Sequence, residues 1–159
     1  MVEETVFRET MRILTKDETS DLAFSDITVL VDSRALGLKI EKRFATEGIR
    51  VQHTFATDNR EGRRKKLAFF MGAPRVKMTT IHSFKGWEAR LLVVCVEDGS
   101  NFRGKALLYT GMTRLKVHTR GSYLTVICLD PALAEYGKTW GENESNLIRH
   151  DVTQMVKSC

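Results

Sequence analysis

The chain has 159 residues, 42% of them hydrophobic, and a formal net charge of +5. Such a chain fits one domain that buries roughly two thirds of its unfolded surface. No apolar run approaches the ~18 residues of a membrane span, and the acidic start does not resemble a signal peptide, so we expect a cytoplasmic protein without membrane contact. The three cysteines and four histidines lack zinc-ligand spacing, so we expect no metal held by this chain.

Helices and strands are predicted to alternate from the start of the chain. A helix over 4–17 is followed by Ile27–Val31, a short β-branched run typical of a strand that is buried on both faces. Asp32 or Ser33 is expected to cap the next helix, and Gly48 stands where that helix should end.

The later elements follow the same alternation. The predicted strands cover 49–53, 76–81, 91–96 and 122–129, and the predicted helices cover 59–70, 105–116 and a tail that Pro131 opens. This order predicts an α/β domain, with a mostly parallel sheet of five or six strands flanked by helices. We treat 1–159 as one domain, with its core at about 26–130 and a helical tail at 131–159. Ligands usually bind at the carboxyl ends of such strands.

A dense run of cations lies at 60–66, inside one predicted helix. Such a run is either a solvated helix face or a contact to nucleic acid, and the sequence leaves both open. The net positive charge is a mild indication of an anionic partner.

The segment GSNFRGKA, from Gly99 to Ala106, comes close to a phosphate-binding loop. The loop pattern GxxxxGK is completed by a serine or threonine, whose hydroxyl binds Mg²⁺. Ala106 has no oxygen to offer. A self-contained P-loop NTPase using these residues therefore stays as an alternative beside a glycine-containing turn that simply precedes a helix.

Two segments in the second half carry a dense set of polar groups. TTIHSFKGWEA covers 79–89 and is predicted as a strand that enters a turn, whereas LLYTGMTRLK covers 107–116 and is predicted as a helix. Together they offer a threonine, a histidine, a lysine-glycine turn, a glutamate and an arginine. These groups suit a surface that contacts both a nucleotide and a phosphate backbone.

These segments resemble motifs V and VI of the UvrD/Rep-like superfamily 1 DNA helicases. Motif V reads T-h-H-x-x-K-G-h-E, with h apolar, and 80–88 matches it; motif VI reads h-Y-h-x-h-T-R-A, and 108–115 is similar to it. Residues 27–51 resemble motif IV and its following helix. The likeness spans about 26–130 and implies the second, C-terminal RecA-like domain of such a helicase, with a three-layer fold.

The resemblance also implies roles for individual residues. Arg114 would be an arginine finger that acts on the γ-phosphate of ATP bound between two RecA-like domains. Glu88 would hydrogen-bond the ribose. The implied groups are the catalytic Arg114, the ATP-binding Glu88, Gly86 and Arg34, and the Thr80, His82 and Lys85 that would bind single-stranded DNA. The phosphate loop and the Mg²⁺ would belong to the N-terminal RecA-like domain, so this chain alone is expected to be inactive.

The chain departs from the family pattern at motif IV. Many members have an aromatic residue and then an arginine directly after the strand, where this chain has Val31 and Asp32. Arg34, two residues further on, is the candidate for the phosphate contact. Phe84 and Trp87 are predicted to lie in the core, with base stacking as the alternative. A non-catalytic nucleic-acid- or protein-binding module derived from a helicase is the rival to the motor function.

Overall fold

Within the residues that the structure describes, five parallel strands form one sheet with helices on both faces. The computed structural model describes residues 2–15, 22–55, 64, 65, 67, 69, 74–119, 121–128, 130, 131 and 133. The helices are α1 (Val2–Leu14), α2 (Arg34–Thr46) and α3 (Phe102–Met112), with short 3-10 turns η1 (Phe24–Asp26) and η2 (Ile81–Phe84). The strands are β1 (Ile27–Val31), β2 (Val51–His53), β3 (Val76–Thr80), β4 (Leu91–Val96) and β5 (Tyr123–Cys128). The predicted α/β class, with a parallel sheet between helices, is confirmed.

The strand order is β2-β3-β1-β4-β5, so the first strand in the chain lies in the middle of the sheet. Val29 of β1 faces Met78 of β3 on one side and Val93 of β4 on the other. Every residue of β1 and of β4 is buried. This explains why β4 is entirely apolar and β1 is apolar except at Thr28, because a central parallel strand is covered on both faces.

Alternate residues of the strands point into two separate cores. Val29 and Val31 pack with α1 and α2, whereas Leu30 packs on the opposite face with α3 and η2. This alternation is the period of two that a strand imposes on its side chains. The three layers are therefore α1 and α2, the sheet, and α3 with η2, an arrangement consistent with a RecA-like domain.

The first two helices pack side by side through an aromatic contact. The rings of Phe7 and Phe44 meet edge to face with centroids 5.2 Å apart, and the Arg43 guanidinium lies 4.1 Å from the Phe7 ring centroid. Arg43 also pairs with the carboxylates of Glu4 and Glu47. In the described ranges, no helix is both long and apolar enough to cross a membrane.

Ser33, and not Asp32, caps α2. The Ser33 hydroxyl oxygen accepts a hydrogen bond from the Leu36 N–H at 3.1 Å. Asp32 instead accepts the Glu97 N–H at 2.8 Å and so ties the end of β1 to the end of β4. The helix ends at Thr46, and Gly48 follows with a φ of 72°, as its position in the sequence predicted.

Replacing Ser33 with alanine is expected to destabilise the chain by about 1 kcal/mol, because one N–H of the first turn loses its acceptor. Urea unfolding followed by circular dichroism measures the change. Ser33→Asp is the matched control, since aspartate caps as well as serine. Equal stability of Ser33→Ala and the unchanged protein would contradict the role of the cap.

Several predicted boundaries differ from the structure. The helix predicted over 105–116 begins at Phe102 and ends at Met112, because the Asn101 side chain caps it and Gly111 and Met112 close its last turn. The first helix, predicted over 4–17, covers Val2–Leu14, whereas the strands predicted at 49–53 and 122–129 begin later, at Val51 and Tyr123. Most of the helix predicted at 59–70, and the tail from 134 onward, lie outside the described residues.

Candidate nucleotide and nucleic-acid site

The motif-V segment leaves β3 and returns to the start of β4 through a tight turn. The Thr80 hydroxyl oxygen accepts the Ser83 N–H at 3.3 Å and so caps η2. Ile81 and Phe84 anchor this turn in the core. His82 and Lys85, in contrast, are exposed to solvent.

Gly86 holds the turn that follows, with a φ of +84°. Residues with a side chain rarely adopt this conformation, so glycine has a structural reason to stand here. Among the described residues, no neighbouring atom lies within 4 Å of where a Cβ on Gly86 would be. The backbone conformation, and not a lack of space, is therefore the reason for glycine at this turn. The turn is open to approach from solvent.

Backbone hydrogen bonds join the motif-V and motif-VI segments directly. The Ala89 N–H donates to the Arg114 carbonyl at 3.0 Å, and the Lys116 N–H donates to the Ala89 carbonyl at 2.9 Å. Ala89 and Leu115 form an isolated parallel bridge. Glu88 and Arg114, which are 26 positions apart in the chain, are therefore held next to each other at the amino end of β4.

Close packing of α3 on the sheet makes this junction possible. A Cβ on Gly111 would lie 2.7 Å from Cγ1 of Val94, closer than side chains can approach. A glycine lets the helix approach β4 without a gap. The chain then leaves the helix at Met112 and carries Arg114 to the edge of the sheet.

The Arg114 side chain holds a buried donor that has no acceptor. Its Nε is buried without a hydrogen-bond partner in the part of the chain that the structure describes, whereas its Nη2 donates to the Thr113 hydroxyl at 3.2 Å. Arg90 and Lys116 follow Glu88 and Arg114 in the chain by two positions each, and the Arg90 Nε donates to the Gly121 carbonyl at 2.8 Å. A buried N–H without an acceptor is costly.

The predicted site residues fall at two opposite ends of the strands. Glu88 and Arg114 lie at the amino end of β4, whereas Thr80 and His82 follow the carboxyl end of β3. Arg34 follows the carboxyl end of β1, next to the end of β4. Because β4 has six residues, it separates these two ends by about 20 Å. The structure thus brings Glu88 together with Arg114 but places Arg34 elsewhere.

The segment from Gly99 to Ala106 does not have the geometry of a phosphate-binding loop. The Asn101 side-chain oxygen already accepts the Gly104 N–H at 2.8 Å, and α3 starts before Gly104. A Cβ on Gly104 would lie 1.9 Å from the Asp98 carbonyl oxygen. Phosphate binding needs free N–H groups at a helix start, and here an amide oxygen occupies one of them.

The Asp98 carboxylate adds negative charge to the same loop. It accepts hydrogen bonds from the Ser100 hydroxyl at 2.6 Å, from the Ser100 N–H at 2.9 Å and from the Asn101 side-chain amide at 2.7 Å. These bonds, with those from Ser100 the largest, lower the pKa of Asp98. The carboxylate is therefore ionised at neutral pH, and it would repel a phosphate group bound to the backbone N–H groups of the first turn of α3.

Of the aromatic and basic residues that the sequence indicated as candidates, some are buried or bonded within the domain and others are exposed. Phe84 is buried as predicted, but Trp87 is 47% exposed, so the expectation that it belongs to the core is wrong. The Gly86 turn carries Trp87 away from the core. Within the basic run, Arg64 is exposed, whereas Lys65 donates to the Phe55 carbonyl at 2.8 Å; the other residues of 60–66 lie outside the described ones.

The remaining reactive groups form no second site in the described ranges. Cys95 and Cys128 belong to different cores, and burial raises the pKa of both thiols, which keeps them protonated. Among the described residues no group of three or more histidine, cysteine, aspartate or glutamate side chains could hold a metal ion.

In comparisons with known proteins, no protein-family model and no curated protein matches the chain.

Proposed function

We propose that this chain is the second, C-terminal RecA-like motor domain of an ATP-dependent DNA helicase or translocase of the UvrD/Rep-like type, working in the cytoplasm. The observation that carries this proposal is the backbone pairing of Ala89 with Arg114 and Lys116. It joins the two segments that resemble motifs V and VI. A ribose-binding carboxylate and a phosphate-binding arginine must stand together to serve one nucleotide, and this pairing sets Glu88 beside Arg114.

ATP would bind in the cleft between this domain and the N-terminal RecA-like domain. That domain would carry the phosphate loop and hold the Mg²⁺, which neutralises phosphate charge when bound. Arg114 would neutralise the charge that develops on the γ-phosphate oxygens during hydrolysis. Its planar guanidinium offers several donors in a fixed fork, which matches the oxygens of a phosphate group.

The nucleotide and the DNA strand would use different ends of one short segment. Glu88 would accept a hydrogen bond from the ribose, with the open turn at Gly86 allowing the nucleotide close approach. Thr80, His82 and Lys85 would contact single-stranded DNA. Few residues of the chain separate Glu88 from Thr80, His82 and Lys85. A movement of Glu88 that follows nucleotide binding would therefore be passed along the backbone to the residues that contact DNA.

Arg34 fits the strand better than the nucleotide. It is exposed at the carboxyl end of β1, about 20 Å of strand length from the amino end of β4. A phosphate contact by Arg34 would therefore be to the DNA backbone that Thr80 and His82 also meet. This assignment keeps the phosphate contact that the motif-IV resemblance implied but changes the molecule that is contacted.

The purified 159-residue chain is expected to release no measurable phosphate from ATP, with or without single-stranded DNA, because half of the nucleotide site belongs to the other domain. A phosphate-release assay with excess chain measures this. The Arg114→Ala chain serves as the background control. Turnover by the unchanged chain above that control would contradict the proposal and favour a self-contained NTPase.

A further inference from the structure

Two large aromatic side chains stand on the outward face of α3 with little protein around them. Phe102 is 88% exposed and Tyr109 is 70% exposed. They are seven residues apart, so they lie on the same side of the helix, about 10 Å from each other along its axis. Within the part of the chain that the structure describes, packing does not account for either ring, because the helix buries its opposite side through Gly104, Leu108 and Gly111.

The helix that carries these rings is positively charged. Arg103 and Lys105 are exposed in the same helix. The sequence contains no aspartate or glutamate between Asp98 and Asp130, and the Asp98 carboxylate is engaged by Ser100 and Asn101. Exposed rings and cations on one helix suit a polyanion that also offers flat bases. A single-stranded nucleic acid has this chemistry, whereas a folded protein partner would need an acidic apolar groove.

The outward face of α3 continues the surface on which His82 and Lys85 lie. Leu108 of α3 shares a core with Ile81 and Phe84 of η2, so both elements cover the same face of the sheet. A Cβ on Gly111 would stand 3.6 Å from Cδ1 of Ile81, which shows how closely they pack. A nucleic-acid strand that contacts η2 would therefore lie next to α3 as well.

We infer that the outward face of α3 extends the strand-binding surface of this domain. Phe102 and Tyr109 stack on bases of a single-stranded nucleic acid, and Arg103 and Lys105 pair with its phosphates. The inference rests on the proposed function for the identity of the ligand. It adds a helix face that the motif resemblance does not assign to the strand.

The test is a titration of the 159-residue chain into fluorescein-labelled oligo(dT), followed by anisotropy. Phe102→Leu and Tyr109→Leu keep apolar volume but remove the ring, so each is expected to weaken binding by about fivefold or more. Tyr109→Phe keeps the ring and is expected to bind as the unchanged chain does. Leu38→Ala, at a 49% exposed residue on α2 across the sheet, is the matched control and should change nothing.

A salt series tests the ionic part of the contact. Lys105→Gln is expected to reduce the slope of log affinity against log salt by about 0.7, the value for one phosphate contact on a single strand. A parallel titration with oligo(U) distinguishes DNA from RNA as the source of the strand. Thermal unfolding of every variant confirms that an affinity loss does not come from a loss of folding.

The outcomes separate this inference from the proposed function. If the chain binds oligo(dT) and the Phe102→Leu, Tyr109→Leu double variant binds equally well, the α3 inference is overturned and the motor function stands. If the chain binds neither oligonucleotide, both are overturned. If sedimentation shows dimers that the double variant lacks, without strand binding, the face is a contact between copies of the chain and the inference is wrong.

Discussion

Replacing Arg114 with alanine in the two-domain parent enzyme is expected to lower ATP turnover by about 10³- to 10⁵-fold. The affinity for ATP should change far less, because the guanidinium would act on charge that develops only during hydrolysis. Steady-state phosphate release and an equilibrium titration with a slowly hydrolysed ATP analogue measure the two effects. Turnover near that of the unchanged enzyme would remove Arg114 from the catalytic role.

Two neighbouring variants make this test specific. Arg114→Lys keeps the charge but loses the planar fork, so it is expected to remain strongly impaired. Lys116→Ala removes an exposed cation two residues away and should have a small effect. The Arg114 backbone carbonyl, and not its side chain, holds Ala89. All three variants should therefore unfold at the temperature of the unchanged enzyme, and a large shift would indicate lost structure in place of lost chemistry.

Replacing Gly104 with alanine is expected to destabilise the chain by about 3 kcal/mol, at the upper end of the usual cost of overpacking. The new Cβ would overlap the Asp98 carbonyl oxygen at 1.9 Å, and a backbone atom cannot rotate away as a side-chain tip can. For a chain of this length the midpoint of thermal unfolding should fall by roughly 6–12 °C. Calorimetry or circular dichroism measures the change, and an unchanged midpoint would show that the Asp98 loop adjusts without cost.

Lys105→Ala is the matched control for Gly104→Ala and also tests the rival phosphate-loop function. Lys105 is exposed, so its replacement should alter stability by less than about 0.5 kcal/mol. A phosphate loop would depend on this lysine, whereas the structure places it inside a capped helix. A loss of ATP binding by the Lys105→Ala chain would revive the self-contained NTPase.

The sequence predicted best where burial alone decides the structure. β1 and β4 were predicted with their observed ends, since a central parallel strand leaves a short, mostly apolar run rich in β-branched residues. For the residue that caps the start of α2, the sequence left two candidates, Asp32 and Ser33. Choosing Ser33 over Asp32 required the contact between Asp32 and Glu97, which joins different strands and has no local signature.

The start of α3 was predicted three residues late for a different reason. Residues 99–106 resemble a phosphate loop, in which Gly104 and Lys105 would lie before the helix. Asn101 precedes the Gly104 N–H by three positions and is a strong capping residue, which was the signal that could have placed the helix correctly. Because the predicted helix began at 105, Phe102 was not recognised as its exposed first residue.

The sequence by itself determined the alternation of strands and helices, the α/β class and the two segments that resemble motifs V and VI. Only the tertiary structure decided that β1 lies between β3 and β4, and hence that Glu88 meets Arg114 while Arg34 stands at the opposite end of the strands. The tertiary structure also decided that Phe102 and Tyr109 are exposed. The physical reason is that periodicity records how each residue is buried along one element. The pairing of distant segments instead depends on backbone hydrogen bonds and close contacts, such as that of Gly111 with Val94, which involve residues far apart in the chain.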